Sequence, residues 1–353
     1  MDISFIIPAY NAETVIEKSV ASIQKWSYEA SIEIIIINDG STDNTRSLCE
    51  KMAEADNRIS VYSISNSGQG IARNKGLSCA KGDYVCFADA DDKVVVDNIY
   101  KMWIKAKELR ANVVMGSYIR QTDSHTELPN LPDTEEFFSK ESPKASFYHK
   151  IKTESVFGYL WNKLYEKHFL DEHKLELDDI RTVYMEDLLF NVKVWSHNPK
   201  VYYMGIPVYE YYVGNVSTTR KADEKIHEKN VAMIESMVTY LDKENALADN
   251  LDMVIPIVMR MYCWSLVKNI PYEGNSVRKI KQRSKVFCHN RAVRKCLQQK
   301  RAIKQLFYLP SKMQSIFYAF CCLCLKWKWN TFLAIVFFIT YPVLKRYIAH
   351  AVK

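Results

Sequence analysis

The sequence predicts an α/β fold: a Rossmann-like, mostly parallel sheet with helices on both faces, followed by a helical, basic C-terminal region. Three observations lead there. Strand-like and helix-like apolar patterns alternate over the first 116 residues. Polar, Asp-rich clusters fall where those strands end, which is where open parallel sheets bind ligands. Finally, no Asp or Glu follows Glu273, while the segment 275–353 carries 17 of the 48 Lys and Arg. The first 274 residues then hold 31 basic and all 41 acidic residues, so an acidic body precedes a basic tail. With 353 residues, 48% of them hydrophobic and 25% charged, the chain is excluded from the disordered, collagen-like and low-complexity classes.

Taken in order, Ile3–Pro8 is an apolar run, and Ala12–Trp26 repeats Val15, Ile16, Val20 and Ile23 at helical spacing. Ile32–Ile37 is β-branched almost throughout, as befits a strand covered on both faces. Thr45–Ala55 reads as a helix, then Ile59–Ile64, Tyr84–Ala88 and Val113–Met115 as strands, with helices at Ile71–Cys79 and Asp97–Leu109 between them. The stretch Gln121–Ser146 is polar, holds Pro129, Pro132 and Pro143, and reads as a mobile loop near the ligand face. Structure resumes at Phe157–Tyr165, Glu186–Trp195 and Val201–Tyr212. The first strand begins at Ile3, leaving no room for a signal peptide, and the 9 Cys make no paired zinc pattern. Reduced thiols and a cytosolic compartment are expected.

Several polar clusters carry possible chemistry. In Cys86-Phe-Ala-Asp-Ala-Asp-Asp, a strand exit brings Asp89 and Asp91 to one side, where two carboxylates repel unless a cation lies between them. Oxygen-only ligands suit Mg²⁺ or Mn²⁺; the competing reading is a turn that caps the next helix. Gly68-x-Gly70 opens a helix as a dinucleotide motif does, but the third glycine position is Arg73 and the strand before it is not the first. An oxidoreductase is therefore disfavoured, whereas a cation one turn into that helix reaches a diphosphate; alone, Arg73 reads more readily as a solvated surface ion pair. Asp39, after its strand, is suited either to accept a nucleobase N–H or to cap a helix.

Ile6-Ile-Pro-Ala-Tyr-Asn, Asn38-Asp-Gly-Ser-Thr-Asp, Ala72-Arg-Asn-Lys-Gly and Phe87-Ala-Asp-Ala-Asp-Asp occur in that order near strand–helix junctions. Leu160-Trp-Asn-Lys-Leu-Tyr, Met185-Glu-Asp-Leu-Leu-Phe and Tyr211-Tyr-Val-Gly-Asn-Val-Ser follow. The series, over roughly residues 1–220, resembles glycosyltransferase family 2, the inverting nucleotide-sugar transferases of the GT-A fold. The resemblance implies a nucleotide-sugar-binding half at 1–116 and an acceptor-binding half at 117–220 of one domain, with a C-terminal region at 221–353. It implies that Pro8, Tyr10, Asp39, Arg73 and Asp89 serve the nucleotide, with Arg73 on the phosphate side. By the same resemblance Asp91 of the DxD motif holds Mn²⁺ or Mg²⁺, and Asp187 is the general base. Trp161, Lys163 and Glu186 are expected on the acceptor side, although Trp161 between two leucines also reads as core. Lys93 departs from the bulky apolar residue usual after that turn. UDP is expected as the nucleotide on family frequency.

In the tail, Ser276–Gln305 reads as a basic helix, followed by apolar runs at Ile316–Leu325 and Phe332–Leu344. Each run is shorter than the roughly 20 residues a bilayer span needs. Trp327, Trp329, Tyr341 and Tyr347 beside Lys and Arg form the mixture favoured at a membrane interface. The reading is a basic arm and an interfacial hairpin on the anionic cytoplasmic face of the cell membrane, with a lipid-linked glycan as acceptor. A helical subdomain with a buried core is the bland alternative. Nucleic acid fits poorly with long apolar runs. A processive synthase is disfavoured for lack of a QxxRW motif, and a non-catalytic sugar-nucleotide scaffold by the retention of Arg73, Asp89, Asp91 and Asp187.

Overall fold

A computed structural model of the protein describes residues 1–122, 125–129, 134–138, 155–213, 223–309 and 311–351. Ile3–Ala9 (β1), Ile32–Asp39 (β2), Ile59–Ile64 (β3) and Tyr84–Phe87 (β4) lie side by side and parallel in the order β3-β2-β1-β4. β2 is buried along its whole length, so Ile32 and the run Ile34–Ile37 stabilise both faces of the sheet. Ile16–Gln24 (α1), Thr45–Ala55 (α2) and Gln69–Cys79 (α3) are the intervening helices. α1 buries Ile16, Val20 and Ile23, as their helical spacing predicts. α3 approaches β1 so closely that a Cβ on Gly76 would lie 2.3 Å from Cγ2 of Ile6.

Beyond β4 the sheet departs from simple alternation. Lys93–Val94 (β5), Val96–Leu109 (α4) and Val113–Gln121 (β6) come next, followed by Thr126–Glu127 (β7) and Glu135–Phe138 (β8). Lys163–Glu166 (β9) inserts between β4 and β6 and is antiparallel to both. After Lys167–Glu172 (α5) and Glu186–Ser196 (α6), the long strand Val201–Tyr212 (β10) runs parallel to β6. The polar stretch read as a loop therefore needs correcting in its described part: β7 pairs with β6, and β8 pairs with β10, burying Phe138. The rest of that stretch lies outside the described residues.

The chain forms two compact units. The first comprises Met1–Pro143, Gly158–Arg181 and Glu186–Thr218. The second comprises Lys144–Phe157, Thr182–Met185 and Thr219–Lys353. Within the second, Ile226–Lys243 (α7) packs on Leu251–Val267 (α8), which is buried nearly all round and forms the centre of the unit. Ile270–Glu273 (α9), Val277–His289 (α10), Arg291–Leu297 (α11), Ala302–Gln305 (α12), Lys312–Lys326 (α13) and Asn330–Ala351 (α14) complete it.

The single basic helix read at 276–305 is corrected to α10, α11 and α12. Asn290 breaks it: its Oδ1 accepts the Val293 N–H at 3.1 Å and caps α11. Nor is this stretch a free arm, since Ile280, Phe287, Val293, Cys296 and Leu297 are buried within the unit. All nine cysteines are free thiols, and most pack as small apolar side chains. Among the described residues, no helix is long and apolar enough to cross a membrane.

Candidate active site

The ends of β1 and β2 form one edge of the site. Pro8 lies within β1 opposite Ile37, and Tyr10 just past it is half exposed. Asp39 closes β2 and is buried; Oδ1 accepts the Ser67 N–H at 2.7 Å and Oδ2 the Gly68 N–H at 2.8 Å. Its carboxylate thus pins the loop entering α3, leaving each oxygen one further lone pair. That turn requires glycine at Gly68, whose φ is 88°. One residue into α3, a Cβ on Gly70 would lie 2.2 Å from the Asp178 carbonyl oxygen.

Arg73, on α3, is buried and ties distant segments together. Its Nη2 donates to Asp89 Oδ1 at 2.7 Å and its Nη1 to Glu186 Oε1 at 3.1 Å, while Nε has no hydrogen-bond partner among the described residues. Gln69 Nε2, one turn earlier, donates to the same Glu186 oxygen at 2.6 Å. Burial opposes the Arg73 charge, but Asp89 and Glu186 outweigh it and hold its pKa above the ordinary value. Glu186, expected on the acceptor side, instead sits fully buried beside Arg73.

The turn after β4 carries Asp89, Asp91 and Asp92. The Asp89 N–H donates to the Tyr209 hydroxyl at 2.8 Å, which fixes the start of the turn to β10. Asp91 is exposed as a residue, yet burial around its carboxyl and the charge of Asp89 raise its pKa. Asp92 is buried; Oδ1 accepts the Tyr212 N–H at 2.8 Å, and burial with the charges of Asp89 and Asp91 pushes its pKa up to about 9. Lys93 is turned to β10, 2.8 Å from the Tyr212 hydroxyl and over that ring. Among the described residues no group of three or more His, Cys, Asp and Glu is arranged to hold a metal ion. Asp91 with Asp89 supplies hard oxygen donors of the kind Mg²⁺ or Mn²⁺ accepts when phosphate oxygens and water complete its shell.

Asp187 is half-buried in the first turn of α6, where Oδ1 accepts the Leu188 N–H at 2.7 Å. Burial, then the neighbouring charge of Glu186, pushes its pKa up to about 7 against the pull of Leu188 and Arg73. A carboxyl raised to that range can both hold and release a proton near neutral pH.

Trp161 and Lys163 do not present their groups to solvent. Trp161 is stacked between Tyr159 at 4.5 Å and Tyr209 at 4.4 Å, so neither ring face is free for a sugar. Lys163 is fully buried, its Nζ donating to the Tyr159 carbonyl and, at 2.8 Å, to Asn162 Oδ1. Both were expected on the acceptor side. Gln69 and Asp92 were missed: neither residue type is unusual in a polar turn, and only the fold brings them to Glu186 and β10.

The family model Glycosyl transferase family 2 matches residues 4–173. Those residues are a family 2 glycosyltransferase domain. The match spans Pro8 to Asp92 and also Lys163, but ends before Glu186 and Asp187. EpsH of Bacillus subtilis, a glycosyltransferase by name, is 28% identical over 253 residues, or 70% of this chain and 71% of EpsH. Glycosyltransferase GlyA of Streptococcus pneumoniae is 28% identical over 244 residues, which cover 68% of this chain but 34% of GlyA. The fold resembles the crystal structure of residues 1–349 of TarS from S. aureus. That likeness has a TM-score of 0.67 at 17% identity and covers 92% of this chain and 89% of that one. The sheet with its flanking helices is thus of the GT-A kind expected from the sequence motifs.

Proposed function

We propose that this glycosyltransferase moves a sugar from a UDP-sugar to a hydroxyl of a growing surface glycan, by single displacement with inversion. The observation that carries this reading is the meeting of Arg73, Asp89 and Glu186, from three separate segments, beside an Asp187 carboxyl poised near pH 7. In the step, the acceptor hydroxyl loses its proton to Asp187 Oδ as its oxygen bonds to the anomeric carbon. The bond from that carbon to the phosphate oxygen breaks with its electron pair, releasing UDP. Pro8, Tyr10 and Asp39 serve the base end of the nucleotide. A TarS structure of similar fold, with a TM-score of 0.68, contains UDP-GlcNAc, which supports the donor class.

The charge of the site supports a metal. Asp89 and Glu186 already share the Arg73 charge, and Asp91 and Asp187 add further negative groups. A diphosphate, itself anionic, is repelled by such a site, and a divalent cation would offset that repulsion. Asp91, with Asp89 beside it, would hold that Mn²⁺ or Mg²⁺, whose chemistry is to offset charge developing on the leaving phosphate.

The second unit supports a membrane partner. α13 and α14 bury one face inside the unit and leave Met313, Ile316, Leu323, Phe332, Ile335, Phe338 and Ile339 exposed, with Trp327 and Trp329 exposed in the turn between them. Isolated exposed apolar residues are ordinary, but so many on two consecutive helices and the turn joining them suit contact with an apolar partner. Because 275–353 has 17 Lys and Arg and no acid, an anionic bilayer is the covering its charge favours. The acceptor is then a lipid-linked glycan at the cytoplasmic face. Nucleotide release from UDP-, GDP- and dTDP-sugars with Mn²⁺ and anionic vesicles tests the reading. Turnover of a UDP-sugar, abolished by chelation and in Asp91→Asn, is expected; metal-independent turnover would overturn the metal assignment, and absence of both turnover and nucleotide binding the whole reading.

A further inference from the structure

The loop entering α3 is bonded to Asp39, and residues 178–181 lie against the same loop. A Cβ on Gly68 would stand 3.0 Å from Ile180 Cγ2 and 3.6 Å from Asp179 Oδ1, and one on Gly70 would meet the Asp178 carbonyl oxygen at 2.2 Å. The two glycines therefore let this segment rest directly on the turn whose Gly68 N–H donates to Asp39 Oδ2. Arg181 ends the segment and is anchored to it. Its backbone N–H donates to Asp179 Oδ1 at 2.8 Å, its Nε lies 2.9 Å from each Asp179 oxygen, and its Nη2 reaches Oδ2 at 2.5 Å. Three contacts in series thus join the Arg181 guanidinium to Asp39: through Asp179, then Gly68, then the Gly68 amide.

The grip of Asp179 uses Nε and one N–H of Nη2, and both N–H groups of Nη1 make no hydrogen bond among the described residues. The Arg181 side chain is 58% exposed, so those donors can meet a ligand. Asp179 first, and Asp39 after it, hold its pKa above the ordinary value. Hydrogen-bond type says what the ligand presents here. Asp39 keeps a lone pair on each oxygen and takes an N–H donor, while its charge disfavours a phosphate at the same place. Arg181 carries only donors and takes an oxygen. The uracil edge, where an N–H stands beside a carbonyl, offers both at once.

We propose that Arg181 is a further base-binding residue of this transferase: clamped by Asp179, it donates from Nη1 to a uracil carbonyl beside the N3–H that Asp39 accepts. The proposal rests on Asp39 serving the base end of the nucleotide, so the test must tell the two apart.

The test is calorimetric titration of full-length protein with UMP and with UDP, in Mn²⁺, at low and at high salt, for wild type, Arg181→Gln and Asp39→Asn. One hydrogen bond from a charged donor is worth about tenfold in affinity. Arg181→Gln is expected to weaken UMP and UDP by that same factor in both salts, because the lost contact is to the base and not to the second phosphate. Thermal unfolding checks that this exposed substitution leaves the fold intact. Wild-type affinity in Arg181→Gln, with Asp39→Asn weakened, would overturn the proposal alone and leave Arg181 a surface ion pair. A loss larger for UDP than for UMP that fades in high salt would also overturn it, since that is the mark of a charge acting on the phosphates. If Asp39→Asn binds both nucleotides as wild type does, the base-end reading itself fails, and the proposal with it.

Discussion

Arg73 and Glu186, 113 residues apart in the chain, meet at 3.1 Å in the buried floor of the site. The contact fastens the first turn of α6 to α3, and so places Asp187 beside the turn that holds Asp89 and Asp91. Breaking a buried pair by removing one partner leaves the other uncompensated, which typically costs about 3–5 kcal/mol. Arg73→Met is expected to lose stability on that scale in urea unfolding, as well as activity. A loss below about 1 kcal/mol would show that the network is incidental.

Close approach of α3 to the Asp178 backbone gives a second outcome. Gly70→Ala would put a methyl 2.2 Å from a carbonyl oxygen, with Glu186 Cγ at 3.3 Å on the other side. Backbone must move, at about 1–3 kcal/mol for overpacking of this kind. Thermal unfolding should show a clear drop in Tm for Gly70→Ala and a rise in KM for the donor. Unchanged values would mean that α3 is less constrained than its contacts indicate.

Asp92 predicts a pH-dependent stability. Its pKa rises on folding from 3.8 to about 9, so the folded state keeps the proton while the unfolded chain loses it. Stability from this group is present below pH 3.8 and declines as pH rises toward 9. Asp92→Asn, which cannot ionise, should match wild type near pH 4 and become progressively more stable than it by pH 9, measured in EDTA. A constant Tm difference across that range would contradict the shift.

The exposed apolar residues of α13, α14 and the turn between them are tested by vesicle flotation. Full-length protein should float with anionic vesicles, float less in high salt and not at all with Trp327→Ser/Trp329→Ser/Phe332→Ser, whose fold is checked by circular dichroism. Equal binding by the triple variant would move the contact to the basic residues alone.

Much of the parallel half was legible because its signals are local. Thr45–Ala55 and Ile59–Ile64 match the structure residue for residue, since helical spacing and a β-branched run need no distant partner. β8 was not legible: Glu135–Phe138 is half polar, and only its ladder with β10 makes it a strand. β9 hid for the same reason, being four residues whose pairing on both sides is antiparallel to neighbours distant in sequence. At the site, the motif order singled out Asp39, Arg73, Asp89, Asp91 and Asp187. It did not show that Asp39 binds backbone N–H groups, or that Arg73 is spent on two carboxylates. A lysine in Leu160-Trp-Asn-Lys-Leu-Tyr carries no mark of its full burial, because burial is set by β4 and β6 on either side.

The central claim is that Asp187 is the general base of this transferase, and the pH profile of kcat/KM tests it most directly. For wild type with Mn²⁺ and the active UDP-sugar, kcat/KM should rise tenfold per pH unit and level off near the carboxyl's pKa of about 7. Asp187→Asn should lose about 10²- to 10⁴-fold and show no such limb. An Asp187→Asn enzyme with near wild-type turnover and an unchanged limb would contradict the account and move the base to another carboxyl.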